Sequence, residues 1–519
     1  LKCFSRSLLT NISCAQYLPP HTMLEVDVLI VGNGPSGLAC AAALGGLVPR
    51  VRPLLKSTDA ADDITATALK SLEGSFIDEV DLYKLGSGIK RRCYEPAAAL
   101  FDALRYPGGD GIGESLLDYA QVRPPESVPR FSYAIVGAVA PGGSWQEMSP
   151  STVALSPGEW MDLPGDYSLE QHLQSNFASE AAKELAAAHG GAETTVKCRL
   201  PRWLFGEYYT AYARHLSGGS LLSGKVISIE RLDNQAFRFQ ARLEPLKWGD
   251  RFTETGVQEA PPTILARAVV LAGGTFDVPR RLELPNEDLP FICHRRMDPK
   301  LADQIGHLVV VGAGLSSADC IIATLLKRHG GKAGKPIRIT HIFRGVPTTT
   351  KICTMFSTTA SGPSAYHNED FLAQLMRGEI KDARYRAVRN AELVEIGDGC
   401  CTARFLDSGR TEVIASVDVL ALLLGADPNL GVLPECAKAA LAEDPRGKRS
   451  RTDGQVNSHP CFLEVDPGSF RPVDRSTREV LTDGLFALGP LRGDNFVRFL
   501  QADAYVVRRE LMQKELRPE

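Results

Sequence analysis

The feature that most constrains the fold is a strand, glycine turn and helix pattern that occurs twice along the chain. In the first copy the apolar run VDVLIV at residues 26–31 leads into GNGPSG and the small-residue run LACAAAL. In the second copy HLVVV at residues 307–311 leads into GAGLSS and ADCII. A buried strand that ends in a Gly-x-Gly turn and opens a helix is typical of the βα unit of a parallel sheet. The sequence therefore predicts an α/β protein with two Rossmann-like units.

The first turn has the residues that a bound dinucleotide requires. Pyrophosphate oxygens bind to backbone N–H groups at the positive end of a helix, where a side chain would block their approach. Gly32 permits the tight turn, Gly34 lets the backbone approach the pyrophosphate, and Gly37 lets the helix lie close to the strand. Pro35 and Ser36 lie between these glycines and belong to the same candidate site. The turn predicts nucleotide binding, with an ordinary strand-to-helix turn as the alternative.

The second turn keeps Gly312 and Gly314 but has Ser317 in place of the third glycine, a small residue that still allows close packing. Residues 338–344 predict the next strand, with Arg344 at its end. An arginine at this point suits a 2′-phosphate through bidentate, charge-assisted hydrogen bonds, which favours NADPH over NADH. The alternative is an arginine that merely faces solvent at a strand end.

Two such units in one chain imply two cofactors, and the pairing that makes chemical sense is FAD with a nicotinamide that reduces it. The first unit is expected to hold FAD and the second NADPH. A buried strand breaks at Gly273 and Gly274 and returns the chain to the FAD unit. The strand at residues 484–489 precedes Asp494, Asn495 and a helical run, which are expected to complete the flavin site.

The glycine-rich loop PGGSW is a further candidate part of the flavin site. Gly142 and Gly143 give backbone access to a flat ligand, and Trp145 supplies a large face with one N–H group. The alternative is that Trp145 and Trp160 pack together in a small satellite cluster. The acid that binds the FAD ribose stays undetermined, because Asp59 and its neighbours are more typical of a solvated loop or a helix cap.

Charge and cysteine content exclude several classes of protein. The 58 basic and 62 acidic residues give a net charge of −4, so no positive field attracts nucleic acid or anionic lipid. No apolar run approaches the roughly 20 residues that cross a bilayer. The 12 cysteines include no Cys-x-x-Cys pair, so neither a zinc site nor a spaced dithiol is expected. Adjacent Cys400 and Cys401 are expected to be reduced thiols, which favours a reducing compartment.

The order of the segments predicts the domains. Residues 25–295 and 455–519 are expected to form a discontinuous FAD-binding domain, with an NADPH-binding domain at 300–450 inserted in it. Residues 1–24 are expected to be a presequence or a disordered extension.

Two segments inside the FAD-binding domain have contrasting patterns. Residues 141–164 are rich in Gly, Pro and Ser and are expected to be a surface insertion. Residues 201–216 have apolar positions at helical spacing and carry three tyrosines that are expected to lie in the core.

Several longer segments resemble the oxidative stress-induced growth inhibitor family, a branch related to class B flavin-dependent monooxygenases. The resemblance covers nearly the whole chain, and its most specific segments are IVGNGPSGL, PGGSWQEM, LSPGEWMDLP, LAGGTFDVPRRLELP, VVGAGLSSAD and GLFALGPLRGDNFVRF.

The resemblance implies a glutathione reductase or flavin monooxygenase-like fold and an FAD- and NADPH-dependent monooxygenase. Such an enzyme inserts one oxygen atom of dioxygen, through a flavin hydroperoxide, into an unidentified nucleophilic or carbonyl substrate. The resemblance also implies a role in cell growth, cell death and late cell division, with a protein partner in the division machinery. The implied location is the cytoplasm, including the midbody, with mitochondria as the alternative.

The chain departs from the monooxygenase pattern at two positions. Cys293 stands where the signature before His294 has glycine, and Pro490 follows Gly489 where many flavoproteins have a ribityl-binding aspartate. A regulatory flavoprotein with weak or no turnover and an NADPH-dependent reductase therefore stay as alternatives. No catalytic side chain is identified, and no metal site is expected, since no HExxH, Ser/His/Asp set or carboxylate pair is present.

Overall fold

The computed structural model describes residues 23–53, 63–89, 95–107, 114–119, 131–148, 152, 154, 156–175, 196–197, 199–216, 219–233, 236–247, 258–295, 305–326, 337–344, 379–441, 449–450, 456–457, 462–493 and 496–515. In these ranges the strands of three or more residues are β1 (Leu24–Val31), β2 (Tyr133–Gly137), β3 (Gly219–Arg231), β4 (Phe239–Pro245), β5 (Thr263–Leu271), β6 (His307–Val311), β7 (Arg338–Phe343), β8 (Tyr385–Arg389), β9 (Ala391–Gly397), β10 (Cys400–Phe405), β11 (Thr411–Ala415), β12 (Val419–Leu422) and β13 (Leu485–Ala487).

The α-helices in the same ranges are α1 (Pro35–Leu44), α2 (Asp63–Ser71), α3 (Leu82–Gly86), α4 (Pro96–Arg105), α5 (Ser144–Glu147), α6 (Leu169–Gln174), α7 (Arg202–Arg214), α8 (Leu315–Leu326) and α9 (Val497–Glu510). None of the described helices is long and apolar enough to cross a membrane.

β1 lies at the centre of the first sheet. It pairs in parallel with β2, where Val28 lies opposite Tyr133, and with β5, where Val28 lies opposite Ala268. β5 also pairs in parallel with β13. These four strands are mostly buried apolar runs, as parallel strands are when both faces of a sheet are covered. Their carboxyl ends meet at one edge, which we call the first edge.

The first sheet also has an antiparallel part. β3 begins parallel to β2 and continues antiparallel to β4, which in turn pairs antiparallel with β5. The chain therefore leaves the parallel strands and returns to them before the second sheet begins.

The core beside the first sheet is built on α1, α7 and α9. The small residues of α1 from Ser36 to Leu44 are all buried, and α1 packs against α9. Tyr208, Tyr209 and Tyr212 of α7 are fully buried. The helix and the tyrosine core predicted for residues 201–216 are therefore confirmed.

The prediction that residues 141–164 form a surface insertion is wrong. Met161 and Leu163 lie in the same core as α7. The hydroxyl of Tyr209 donates to the Met161 carbonyl oxygen across 3.1 Å, and the hydroxyl of Tyr212 donates to that of Pro164. The Gly and Pro residues keep the backbone of this segment irregular, so some of its carbonyl groups have no partner in a helix or a sheet. The tyrosine hydroxyls donate hydrogen bonds to these carbonyl groups.

The second sheet is parallel throughout. It has the order Ile292–Cys293, β12, β6, β7, β8, and α8 follows β6. The antiparallel strands β9, β10 and β11 lie beside it. The chain passes between the two sheets through a short ribbon, in which Val278–Pro279 pairs with Ala426–Asp427. The predicted α/β class with two Rossmann-like units is confirmed.

Candidate functional site

The first glycine turn connects β1 to α1 at the first edge. Gly32 has a φ of +110°, and a Cβ there would overlap the carbonyl oxygen of Ala272. A Cβ at Gly37 would overlap the carbonyl oxygen of Gly32. A Cβ at Gly34, in contrast, would have no atom within 4 Å. Two of the glycines are therefore required by packing, and the third leaves a space beside the backbone.

The N-terminus of α1 adds the electrostatic part of this corner. Pro35 occupies the first turn, no side chain caps the helix, and Ser36 and Gly37 are buried. The first N–H groups of a helix have no intrahelical partner and carry the positive end of its dipole. The corner therefore combines donor groups with the space at Gly34, which is the combination that a pyrophosphate requires.

The PGGSW loop lies directly on this corner. The Gly142 N–H donates to the Asn33 carbonyl oxygen across 2.9 Å, and the buried Asn33 side-chain amide donates to the Val139 carbonyl oxygen across 2.6 Å. A Cβ at Gly143 would lie 3.1 Å from the Gly34 Cα. Sequence reasoning did not identify Asn33, because its partners lie on a segment more than 100 residues away.

Trp145 is half-buried beside this loop. Its ring makes edge contacts with Phe205 and Tyr209, at centroid distances of 5.2 and 6.4 Å. Trp160 instead lies under the guanidinium of Arg498, 4.3 Å from its ring centroid. Trp145 therefore belongs to the wall formed by α7 next to the first turn.

The third segment at the first edge follows β5. The Ala272 N–H donates to the Val31 carbonyl oxygen across 2.8 Å, which ties the start of this turn to β1. Gly273 follows, and its N–H nitrogen is among the atoms that a Cβ at Gly32 would meet. Gly274 has a φ of +71°, and a Cβ there would have no atom within 4 Å. The turn after β5 thus adds a second open glycine to the edge.

The fourth segment follows β13. Asp494 and Asn495 lie outside the described residues. In the described part of this segment, Asp503 of α9 accepts a hydrogen bond from the Gly489 N–H at 3.1 Å. Burial raises the pKa of Asp503 to about 6, against the lowering effect of Arg492. Asp503 fixes the turn that leads toward the predicted flavin residues.

The second glycine turn repeats the geometry of the first. Gly312 has a φ of +129°, and a Cβ there would overlap the carbonyl oxygen of Leu423, whereas a Cβ at Gly314 would have no atom within 4 Å. Ser317 is buried, and its hydroxyl donates to the Leu423 carbonyl oxygen across 3.4 Å. The serine therefore fits the position of the third glycine by satisfying a carbonyl group that lies against the turn.

A buried histidine supports this second turn from behind. His341 of β7 lies 2.6 Å from the Gly312 carbonyl oxygen through Nε2 and 2.8 Å from the Tyr385 hydroxyl through Nδ1. Because a carbonyl oxygen only accepts, Nε2 carries the proton and Nδ1 accepts from the tyrosine. Burial lowers the pKa of His341 to about 4, so the ring is neutral at physiological pH. Sequence reasoning did not identify this residue.

Arg344 follows β7 directly, at the strand end where the sequence predicts it. Its side chain is exposed, and its Nη2 lies 3.0 Å from Oε2 of Glu392. Arg404 binds the same carboxylate. The sequence predicts Arg344 but not these two partners, which come from strands β9 and β10.

Two polar contacts connect the segment that follows β2 with the second unit. The hydroxyl of Thr152 donates to Oδ2 of Asp319 on α8 across 3.0 Å. Arg295 forms an ion pair with Glu147, at 3.2 Å, and donates to the Asp277 carbonyl oxygen. Glu147 belongs to α5, the short helix that carries Trp145, so the flavin-loop candidate is tied to the connection between the sheets.

Comparison with known proteins identifies the family. Oxidative stress-induced growth inhibitor 1 from Homo sapiens is 31% identical to this chain over 514 residues, which cover 95% of this chain and 96% of the relative. The chain belongs to the oxidative stress-induced growth inhibitor family. Oxidative stress-induced growth inhibitor 2 from Homo sapiens is 25% identical over 94% of this family member and 93% of the relative. No protein-family model matches the chain.

Among solved structures, the bacillithiol disulfide reductase Bdr from Staphylococcus aureus is similar to this growth inhibitor family member. The TM-score is 0.50 at 13% identity, over 95% of this chain and 100% of that one. At this identity the likeness shows the fold alone. The predicted reductase and flavin monooxygenase-like fold is confirmed, as is the family resemblance.

Proposed function

We propose that this protein is an FAD- and NADPH-dependent monooxygenase, which transfers one oxygen atom of dioxygen to a nucleophilic or carbonyl substrate. The observation that carries the proposal is the pair of open glycines at the first edge, Gly34 and Gly274, together with a second glycine corner of the same geometry in the other sheet. One corner with space at Gly34 and another with space at Gly314 are suited to two different dinucleotides.

The chain's own residues bind and position the two nucleotides. Gly34 and the N-terminus of α1 bind the FAD pyrophosphate, and Gly314 with the N-terminus of α8 binds that of NADPH. When bound, FAD supplies the redox chemistry, with NADPH as its reductant and dioxygen as the oxygen source. Asn33 holds the PGGSW loop on the first corner, and Trp145 with Phe205 forms an apolar wall that excludes water from it.

Four buried or half-buried thiols in the described part of the chain support oxygenation over disulfide reduction. Cys40 lies on α1 next to the first turn and is fully buried, and burial raises its pKa to about 12. Burial also raises the pKa values of Cys293, Cys320 and Cys401, to between about 11 and 12. The thiolate is the nucleophile in disulfide exchange, so a raised pKa opposes that reaction at neutral pH. The sequence also lacks a Cys-x-x-Cys pair.

Two substitutions test the two corners separately. Neither Gly34 nor Gly314 has a positive φ, and neither has an atom within 4 Å of a built Cβ, so both positions accept a Cβ, and the two methyl groups of valine would add bulk in the space beside the backbone. We expect Gly34→Val to purify without flavin absorption bands. We expect Gly314→Val to keep its flavin, to bleach with dithionite, and to fail to bleach with NADPH.

The unmodified protein provides the decisive measurement. We expect it to contain FAD, to be reduced by NADPH without air, and to consume dioxygen on reoxidation with delayed release of hydrogen peroxide. Immediate and complete peroxide release would favour the alternative of a regulatory flavoprotein. Failure to bind FAD even after reconstitution would refute the proposed function.

We also propose that the protein acts on cell growth, cell death and late cell division, from the cytoplasm and the midbody. The names of its relatives, which describe growth inhibition under oxidative stress, support the growth part of this proposal. If Gly34→Val abolished flavin binding but kept every growth effect in cells, the enzymatic and the cellular roles would be separate.

A further inference from the structure

We propose that Arg404 is a second guanidinium of the site that binds the 2′-phosphate of NADPH, held beside Arg344 by the carboxylate of Glu392. This inference rests on the proposed function, because it deepens the nucleotide specificity of the second corner. The sequence alone indicates one arginine at this site, and the fold brings the other from the antiparallel strands β9 and β10.

The carboxylate of Glu392 bridges the two arginines. Its Oε2 lies 3.0 Å from Nη2 of Arg344, and its Oε1 lies 3.2 Å from Nε of Arg404. Each guanidinium therefore binds a different carboxylate oxygen. Glu392 and Arg404 are also direct cross-strand partners, so the backbone ladder fixes their relative position.

The bridged pair lies at the edge that carries the second glycine turn. The Gly312 N–H donates to the Ile342 carbonyl oxygen across 3.0 Å, and Arg344 is only two residues beyond Ile342. In a nucleotide-binding unit of this type, the residue at the end of the second strand lies next to the ribose hydroxyls of the adenosine half. Glu392 thus holds the Arg404 guanidinium beside the 2′ position of the adenosine ribose. This position carries a phosphate in NADPH and a hydroxyl in NADH.

Burial and charge favour an anion at this position. The Glu392 side chain is 16% exposed, whereas those of Arg344 and Arg404 are 65% and 51% exposed. The two arginines lower the pKa of Glu392, so the carboxylate is ionised and the group carries one net positive charge. A guanidinium has five N–H donors, of which the carboxylate uses one or two. Because both arginine side chains are more than half exposed, the remaining donors can bind a phosphate dianion bidentately.

The test uses nucleotide fragments in place of turnover. Adenosine 2′,5′-bisphosphate carries the phosphate in question, and adenosine 5′-monophosphate lacks it, so the ratio of their dissociation constants isolates the 2′ position. Isothermal titration calorimetry on the full chain with its flavin measures both. We expect the bisphosphate to bind more tightly, and Arg404→Gln to weaken it about tenfold while changing the monophosphate less than about twofold. The dissociation constant of the bisphosphate for Arg404→Lys should fall between those for the unmodified protein and for Arg404→Gln, because lysine keeps the positive charge but cannot form two parallel hydrogen bonds.

Arg386→Gln is the matched control. Arg386 of β8 is also exposed and pairs with a glutamate, Glu412, at 2.6 Å. The substitution removes the same charge from the neighbouring strand without touching Glu392. We expect it to leave both dissociation constants unchanged, which separates a local contact from a general effect of net charge.

The outcomes distinguish the inference from the proposed function. A loss for the bisphosphate that is specific to the Arg404 variants supports the inference. Equal losses of bisphosphate affinity in Arg404→Gln and Arg386→Gln, or no loss in either, would overturn the inference. Neither result would contradict the proposed binding of NADPH. If the unmodified protein bound neither fragment nor NADPH, the inference and the nicotinamide part of the proposed function would both fail.

Discussion

The side-chain amide of Asn33 donates a hydrogen bond to the Val139 carbonyl oxygen and joins two segments that each carry glycines of the candidate flavin site. Asn33 is 2% exposed, and a Cβ at Gly137 would overlap its side chain. The hydrogen bond is therefore enclosed, and Gly137 packs directly against the Asn33 side chain.

Changing Asn33 to aspartate should release the PGGSW loop. A carboxylate cannot donate to the Val139 carbonyl oxygen, and burying it there without a donor costs free energy. We expect Asn33→Asp to lose flavin and to lower the free energy of unfolding by more than about 2 kcal/mol, measured by urea denaturation. Asn33→Ala should cost less, because it removes the donor without adding a buried charge. Equal stability of the aspartate variant and the unmodified protein would contradict this account.

The glycines of the first turn should divide into a structural and a binding class. Gly37→Ala drives a Cβ into the Gly32 backbone, and Gly32→Ala drives one into the Ala272 backbone at a positive φ. We expect each to destabilise the protein by more than about 2 kcal/mol in urea denaturation, even without cofactor. Gly34→Ala should leave the unfolding of the flavin-free protein unchanged within about 0.5 kcal/mol. A flavin-free Gly34→Ala protein as unstable as the Gly37→Ala protein would count against this division.

The sequence predicts the features that depend on contiguous residues. It does not predict the contacts between segments that are far apart along the chain. The roles of Gly32 and Gly37 follow from one strand, one turn and one helix that are contiguous in sequence, so the pattern predicts them. Ser317 likewise follows from its spacing after Gly312. The segments that resemble the growth inhibitor family predict, in addition, the fold of the whole chain.

The supporting residues could not be predicted in this way. The partner of Asn33 is 106 residues away, and that of Arg498 is 396 residues away. His341 reads as an ordinary polar position in a strand until the sheet places its ring against Gly312. Arg344 combines a predictable feature with an unpredictable one. Its place at a strand end follows from the local sequence, whereas its carboxylate partner, Glu392, comes from another strand.

A buried ion pair ties α9 to α4. Arg498 binds Asp102 bidentately, with 2.8 Å between Nη2 and Oδ2, and the two side chains are 3% and 0% exposed. The guanidinium also lies over the ring of Tyr106, at 4.8 Å from its centroid. Because Arg498 lies in the first turn of α9, the pair fixes the start of the helix that follows the predicted flavin residues.

Removing only the arginine of this ion pair should lower the free energy of unfolding more than replacing both residues with apolar ones. We expect Arg498→Met alone to lower the free energy of unfolding by about 3 to 5 kcal/mol, because it leaves the Asp102 carboxylate buried without the guanidinium. The double variant Arg498→Met, Asp102→Leu should recover most of that loss, because an apolar pair of similar volume has no charge to desolvate. Urea denaturation of the three proteins measures both effects. A double variant no more stable than the single one would show that the salt bridge itself is stabilising.

The neutral ring of His341 should make stability depend on pH. Burial lowers its pKa to about 4, whereas an unfolded histidine titrates near its usual 6.5. Between these values the unfolded chain binds a proton that the folded chain does not, so stability falls as the pH is lowered from 6.5 toward 4. The full difference from this group is on the order of 3 kcal/mol. His172 also has its pKa lowered to about 4 by burial and contributes in the same direction.

Replacing each histidine separates the two contributions. We expect His341→Gln to be less stable than the unmodified protein at pH 7 and to show a smaller loss of unfolding free energy between pH 6.5 and pH 4, measured by urea denaturation at a series of pH values. Because His341 bonds to Gly312, this variant should also weaken NADPH binding at pH 7. His172→Gln should reduce the pH dependence but leave NADPH binding unchanged, since His172 packs with Tyr167 beside the first sheet. If both variants kept the full pH dependence, the acid sensitivity would come from other groups and the neutral state of His341 would lose its support.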